Sequence, residues 1–177
     1  MVTTMQDSAP IPEIETQRLR LRAWRDGDIT PMTAINSDPA VTRWLGPIDA
    51  SQTESRIRVW TEHWRVDGFG LWAVEEKASG LLIGRVGLVH HDDWVASEHD
   101  AEIGWTLAST AWGKGYATEA AQAALDWARR RDRPRNIISI TRPDNSRSRR
   151  VMEKLGLTYR GQTHWHAFDQ VWYAIEL

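Results

Sequence analysis

The sequence predicts a mixed α/β domain: a single mixed central β-sheet with a parallel strand pair in the middle, flanked by about four helices. Three observations carry that expectation. Strand-period patterns crowd the first half of the chain, a strand–helix–strand–helix order runs on from residue 100, and two extended segments close it. The 177 residues are enough to bury one sizeable core and too few for two comfortable ones. No internal repeat or low-complexity linker divides the chain. Residues 15–177 therefore read as one domain, behind a flexible N-terminal arm over 1–14 that carries two prolines.

Each element follows from its own pattern. "RLRLRAWR" (18–25) alternates apolar and basic residues with period two, as a half-exposed strand does. "DGDITPMTAINSD" (26–38) opens on an aspartate cap signal and reads as a helix, with a proline-containing turn after it. Ser51 stands three residues before Glu54, a capping-box spacing for a second helix over 49–65. "FGLWAVEE" and "GLLIGRVGLVH" are strands joined by the hairpin turn "KASG". "DAEIGWTLA" (100–108) is a strand with Ile103, Trp105 and Leu107 on one face and Glu102, Gly104 and Thr106 on the other. The helix that follows carries a stripe of Ala117, Ala121, Ala124 and Ala128, small enough to lie close on a sheet. "NIISI" is a short buried strand and "NSRSRRVMEKLG" a helix with a glycine stop. "GLTYRGQTHW" and "FDQVWYAIEL" form the closing pair.

Composition narrows the function classes. Hydrophobic content of 41% and charged content of 26% are those of a soluble globular chain. No run reaches the roughly 18 apolar residues of a membrane span. The N-terminus lacks the basic start and apolar core of a signal peptide, so a cytoplasmic location is expected. The absence of cysteine excludes disulfides, thiolate nucleophiles and cysteine-ligated zinc. A net charge of −2 gives no general bias toward nucleic acid. The run "ARRRDRPR" (128–135) reads as a solvated helix end whose cations oppose the negative pole of the dipole. Together with Arg147, Arg149 and Arg150 it leaves salt-sensitive nucleic-acid binding as a rival that the net charge opposes. "HHDD" (90–93) reads as a polar turn, because adjacent strand residues face opposite ways and no third and fourth ligand accompany them; no metal is expected. His164 and His166 share a strand face and are weaker candidates for facing a substrate.

The stretch "TLASTAWGKGYATEA" (106–120) is where chemistry concentrates. A strand feeds a glycine loop, and the loop opens a helix whose first N–H groups are free to bind an anion. Gly113 and Gly115 let a ligand approach the backbone, Ala117 keeps the first turn uncrowded, and Thr118 adds a hydroxyl. A plain strand–helix turn is the alternative. The phosphate-loop and dinucleotide fingerprints both fail on spacing.

"WGKGYA" resembles the pyrophosphate-binding motif of the GNAT superfamily of acyl-CoA-dependent N-acetyltransferases, Q/R-x-x-G-x-G/A. Trp112 takes the first position, Gly115 the glycine and Ala117 the last small residue. "NSRSRRVMEKLGL" is similar to the family's N-x-x-[AS] helix with its K-x-G-[FL] end. "ETQRLRLR" and "AEIGWTL" resemble the RimJ/RimL branch, whose named members acetylate the N-termini of ribosomal proteins. The likeness spans residues 15–175. In two places the chain departs from the pattern: Trp112 replaces Gln or Arg, and Met152 stands where many members carry a tyrosine general acid.

The resemblance implies the GNAT fold, with acetyl-CoA lying in a wedge where strands 100–108 and 136–141 splay apart. It assigns Trp105, Thr106, Leu107, Trp112, Gly113, Lys114, Gly115, Tyr116, Ala117, Thr118 and Asn145 to that ligand. The expected reaction is acetyl transfer to a primary amine, on a protein N-terminus or a small molecule, by direct attack in a ternary complex. Glu102 is the candidate general base, directly or through one water; a surface carboxylate is the alternative. Ser148 is the candidate donor to the leaving thiolate, and otherwise a polar residue on a helix face. Asn145 hydrogen-bonds the ligand, caps its helix, or does both. Trp44, Trp60 and Trp64 are candidates for an acceptor pocket, and otherwise core. An amine acceptor is the expected partner, and a homodimer is allowed. With the tyrosine missing, a non-catalytic acyl-CoA-binding sensor stays open as the alternative.

Overall fold

The computed structural model describes residues 10–94 and 96–177. Most of the arm expected over 1–14 lies outside them. Its last residues are held to the domain: Ile11 packs on the core and the Pro12 carbonyl accepts a 2.7 Å hydrogen bond from Trp72 Nε1.

The chain opens with β1 (Ile14–Glu15) and β2 (Leu19–Arg22), then a 3-10 turn at Asp26–Asp28 and α1 (Ile29–Ser37). The expected proline turn is instead a helix, α2 (Pro39–Leu45). Pro39 has no N–H to lose at the first helical position, and the Asp38 side chain accepts from Ala40 N, so the pair starts a helix. The capping box of α3 (Ala50–Val66) stands two residues earlier than expected: Asp49 and Gln52 cap each other reciprocally, not Ser51 and Glu54. β3 (Leu71–Glu76) and β4 (Leu81–Val89) form the expected hairpin. Then come β5 (Ala101–Leu107), α4 (Tyr116–Arg129), β6 (Asn136–Thr141), α5 (Ser146–Lys154), β7 (Thr158–Trp165) and β8 (Phe168–Glu176).

The eight strands form one sheet in the order β1-β2-β3-β4-β5-β6-β8-β7. Among the described residues only β5 and β6 run parallel. Because side chains alternate along a strand, Leu71 and Trp72 fall on opposite faces. Trp72, Val74, Val86, Ile103 and Leu107 join the buried alanines of α4 in one apolar layer. Leu71 joins Met32, Ile35, Val41, Ile57 and Trp60 of α1, α2 and α3 in the other. Glu102, Gly104 and Thr106 are registered with Val89, Gly87 and Arg85 on this second face, which positions them under α1–α3.

Candidate active site

The parallel pairing of β5 and β6 stops almost as soon as it begins, at Ala101↔Ile137 and Glu102↔Ile138. Ser139 Oγ then reaches across and donates to the Ile103 carbonyl at 2.8 Å. That bond shows which edge of β5 Ile103 turns toward β6. Backbone groups of alternate residues share an edge, so Trp105 and Leu107 turn theirs to the gap as well. The Leu107 carbonyl accepts from Trp112 Nε1 at 2.9 Å. Trp105 is left with an N–H and a C=O facing the wedge, with no strand opposite.

The glycine loop closes the wide end of that wedge. Gly113 and Gly115 have φ of +77° and +82°, left-handed conformations that L side chains rarely adopt. Gly115 is the N-cap of α4 and brings no side chain to cap it, so the first-turn N–H groups are open. The acidic residue of that turn, Glu119, is turned away: Arg18 pairs with it at 2.6 Å and Thr16 Oγ1 donates to it at 2.6 Å. The positive end of α4 is thereby kept for an outside anion. Ala117 and Thr118 line the cleft beside it. Tyr116 also lines it, but its hydroxyl donates to Glu76 at 2.6 Å. Lys114 does not line it; its carbonyl accepts from Arg18 Nη1 at 2.9 Å.

α5 forms the other wall. Asn145 lines the cleft and caps α5: its Oδ1 accepts from Ser148 N at 3.2 Å while its amide donates to Thr141 Oγ1 at 3.0 Å, which leaves one N–H of that amide free. Ser148 lines the cleft, and its hydroxyl has no hydrogen-bond partner among the described residues. Met152, 1% exposed, packs into the floor. Arg147 stacks its guanidinium 5.1 Å above the Trp112 ring, placing a cation at the rim near the α4 N-terminus.

The cavity, about 580 Å³, continues past the wedge to the α1–α3 face. There Glu102 Oε2 lies 2.6 Å from His91 Nε2, the two side chains 19% and 23% exposed. Burial opposes charging of His91, but the hydrogen bond to Glu102 and the charges of Glu102, Asp93 and Asp92 outweigh it and raise its pKa above the ordinary value. Trp44 and Trp60 line this end, joined by Trp165 and Arg85. Trp64 does not. It stacks edge-on against Trp72 and Trp127, at 4.5 and 5.3 Å, as a core residue. His164 pairs with Asp169. His166 is not a strand residue: it sits in the hairpin turn with φ +49° and faces Asp93. No group of three or more metal-ligating side chains occurs among the described residues.

Arg85 is a site residue that sequence reasoning left out of the cleft, and His91 one that it held, with His90, only as a fallback base. Arg85 had a readable signal, a cation inside the apolar strand "GLLIGRVGLV". His91 had none, because its approach to Glu102 depends on how the chain turns after β4.

A single mixed sheet with a splayed central parallel pair, opening onto an uncapped helix, is the architecture of an acyltransferase class of α/β domain. The profile described as "Acetyltransferase (GNAT) domain" matches residues 18–158, and the chain belongs to that family. It is 31% identical to the protein YkkB of Bacillus subtilis (strain 168) over 149 residues, covering 83% of this chain and 86% of the relative. It is similar to the crystal structure of an acetyltransferase from Agrobacterium tumefaciens str. C58. There the identity is 27%, the TM-score 0.81 and the coverage 96% of each chain. It also shares its fold with RimL, the ribosomal L7/L12 alpha-N-protein acetyltransferase, in complex with coenzyme A. That match has a TM-score of 0.75 at 15% identity, over 94% of this chain and 98% of the other.

Proposed function

We propose that this protein transfers the acetyl group of acetyl-CoA to a primary amine, on a protein N-terminus or a small molecule, by direct attack in a ternary complex. One observation carries the reading. An open strand edge at Trp105, an uncapped α4 N-terminus and the Glu102 carboxylate line one continuous cavity.

The cavity fits the ligand on its own terms. A Cβ placed on Gly113 would meet nothing within 4 Å, so a diphosphate has clear access to the loop backbone. The Trp105 backbone offers an extended amide-bearing arm one donor and one acceptor. Acetyl-CoA supplies the activated acyl carbon as a thioester.

Glu102 takes the proton of the attacking amine, directly or through one water, while His91 holds its other side. A backbone N–H at the splay polarises the thioester carbonyl. The new C–N bond forms as the C–S bond breaks, and the Ser148 hydroxyl hydrogen-bonds the departing thiolate and passes it a proton that solvent replaces on the serine. Met152 has no proton to give. Thiol release from acetyl-CoA, measured with a panel of amines and peptides, tests the proposal. Acetyl-CoA binding without turnover on any acceptor would replace it with the reading of an acyl-CoA sensor.

A further inference from the structure

Arg85 is a partly buried cation with no matching anion. It lines the cavity on the same sheet face as Glu102, with its guanidinium 4.9 Å from the centre of the Trp60 ring. It makes no hydrogen bond or ion pair with another described residue. Burial pushes its pKa down to about 10, against the attraction of Glu102 and with the repulsion of Arg56. Directly opposite in the β4–β5 register stands Thr106, whose hydroxyl is buried without a hydrogen-bond partner among the described residues. A buried hydroxyl left unpaired costs free energy, and a half-buried cation without an anion on the same stretch of cavity wall marks a place where a ligand completes the bonding.

We propose that the acceptor amine carries a carboxylate, which Arg85 and Thr106 bind while Glu102 takes the amine proton. This rests on the acetyl-transfer reading and names the class of its acceptor. A carboxylate has the acceptor oxygens that a guanidinium fork and a hydroxyl both need. Arg85 and Glu102 lie on neighbouring strands, four residues offset along the pair, about 14 Å between Cα atoms at ~3.3 Å per residue and ~4.8 Å between strands, with both side chains on the cavity face. An acceptor with its amine and carboxylate a few bonds apart spans it. Leu71, Val89 and Trp60 surround the span with apolar surface, where a charge pair is screened little.

The test uses matched acceptors with acetyl-CoA. β-Alanine and 4-aminobutyrate are compared with their carboxamides. Glu-Ala-Ala-amide is compared with Gln-Ala-Ala-amide, to separate a free amino acid from an acidic peptide N-terminus. Calorimetry on the CoA-loaded protein reads acceptor binding where turnover is slow. The anionic member of at least one pair is expected to lead in kcat/KM or affinity by about 10–100-fold. In Arg85→Gln that ratio collapses toward one. Thr106→Val lowers it less, and Arg85→Lys retains part of it. A residue that only supported the fold would lower Tm and slow both members alike, leaving the ratio unchanged. An unchanged ratio in Arg85→Gln, or equal use of both members by the parent protein, overturns the proposal while acetyl transfer to amines stands. Failure of CoA to bind removes the acetyl-transfer reading and this inference with it.

Discussion

At the scale of single residues the candidate chemistry turns on Glu102 and the imidazole beside it. Glu102→Gln keeps the size of the side chain and removes the proton acceptor. It is expected to lower kcat/KM by about 10²–10⁴ with CoA affinity unchanged. The deficit should narrow as pH rises, because more of the amine is then already neutral; a pH–rate profile equal to the parent's in height and shape would rule the base out. His91 makes a second, independent prediction. Its folded-state pKa is raised, so the charged pair with Glu102 contributes stability in full below the ordinary imidazole value of about 6.5. That contribution fades as pH rises through the folded value. The Tm difference between the parent and His91→Gln should therefore be largest near pH 6 and shrink toward pH 8; a difference that grows with pH contradicts the pairing. The strand alternation of "AEIGWTL" already put Glu102 on the face away from Ile103 and Leu107. Nothing local in "HHDD" says that His91 folds back onto it, since contacts across a turn depend on tertiary packing.

At the scale of elements, strong periodicity made the strands and α4 readable, while the errors were the short helix α2, expected as a turn, and the start of α3. There several capping residues compete within a few positions. Asp49 beat Ser51 because its carboxylate reaches Gln52 N while Gln52 returns the bond to Asp49 N. The start of α4 carries the functional weight. Gly115 has φ +82°, and its would-be Cβ points at Arg18 Nη2, 3.4 Å away, which makes the loop conformation itself the feature a ligand needs. Gly115→Val should cost about 1–3 kcal/mol of stability and also weaken CoA binding. Gly115→Asn, whose side chain tolerates the left-handed region, should recover most of both. An asparagine variant that binds CoA as poorly as the valine one contradicts this. At the far side of the sheet, β2 and β3 hold a buried ion cluster: Arg22 bonds Asp28 and Glu75, each at 2.7 Å. Glu75→Ala leaves Arg22 short of a partner in a dry site. It should destabilise the fold by about 3–5 kcal/mol, read from the denaturant midpoint.

At the scale of the whole molecule, the sheet separates two jobs. The α4 layer is apolar, tightly packed with alanines and tryptophans, and it supports the loop and the β5 edge. The α1–α3 layer is smaller and borders the end of the cavity that Glu102, Trp44 and Trp60 line. The split at β5 and β6 connects the two, so one ligand lying in it would touch β5, the 112–118 loop and α5 together. Binding across elements that otherwise meet only through the sheet should stabilise the native state as a unit. Ligand at ~100 times its dissociation constant adds about 2.7 kcal/mol. For a chain of this size that corresponds to a Tm increase of roughly 5–11 °C. Dissecting the ligand sharpens the expectation. Adenosine 3′,5′-bisphosphate lacks the diphosphate and the pantetheine arm, so it should leave the α4 N-terminus and the Trp105 edge unfilled and shift Tm much less than CoA. Acetyl-CoA and CoA should differ little, because the acetyl group adds few contacts to those the arm already makes. If CoA at millimolar concentration fails to raise Tm, the splayed pair is not a CoA site in this protein. If the bisphosphate alone gives the full shift, the α4 N-terminus and the Trp105 edge contribute nothing to binding.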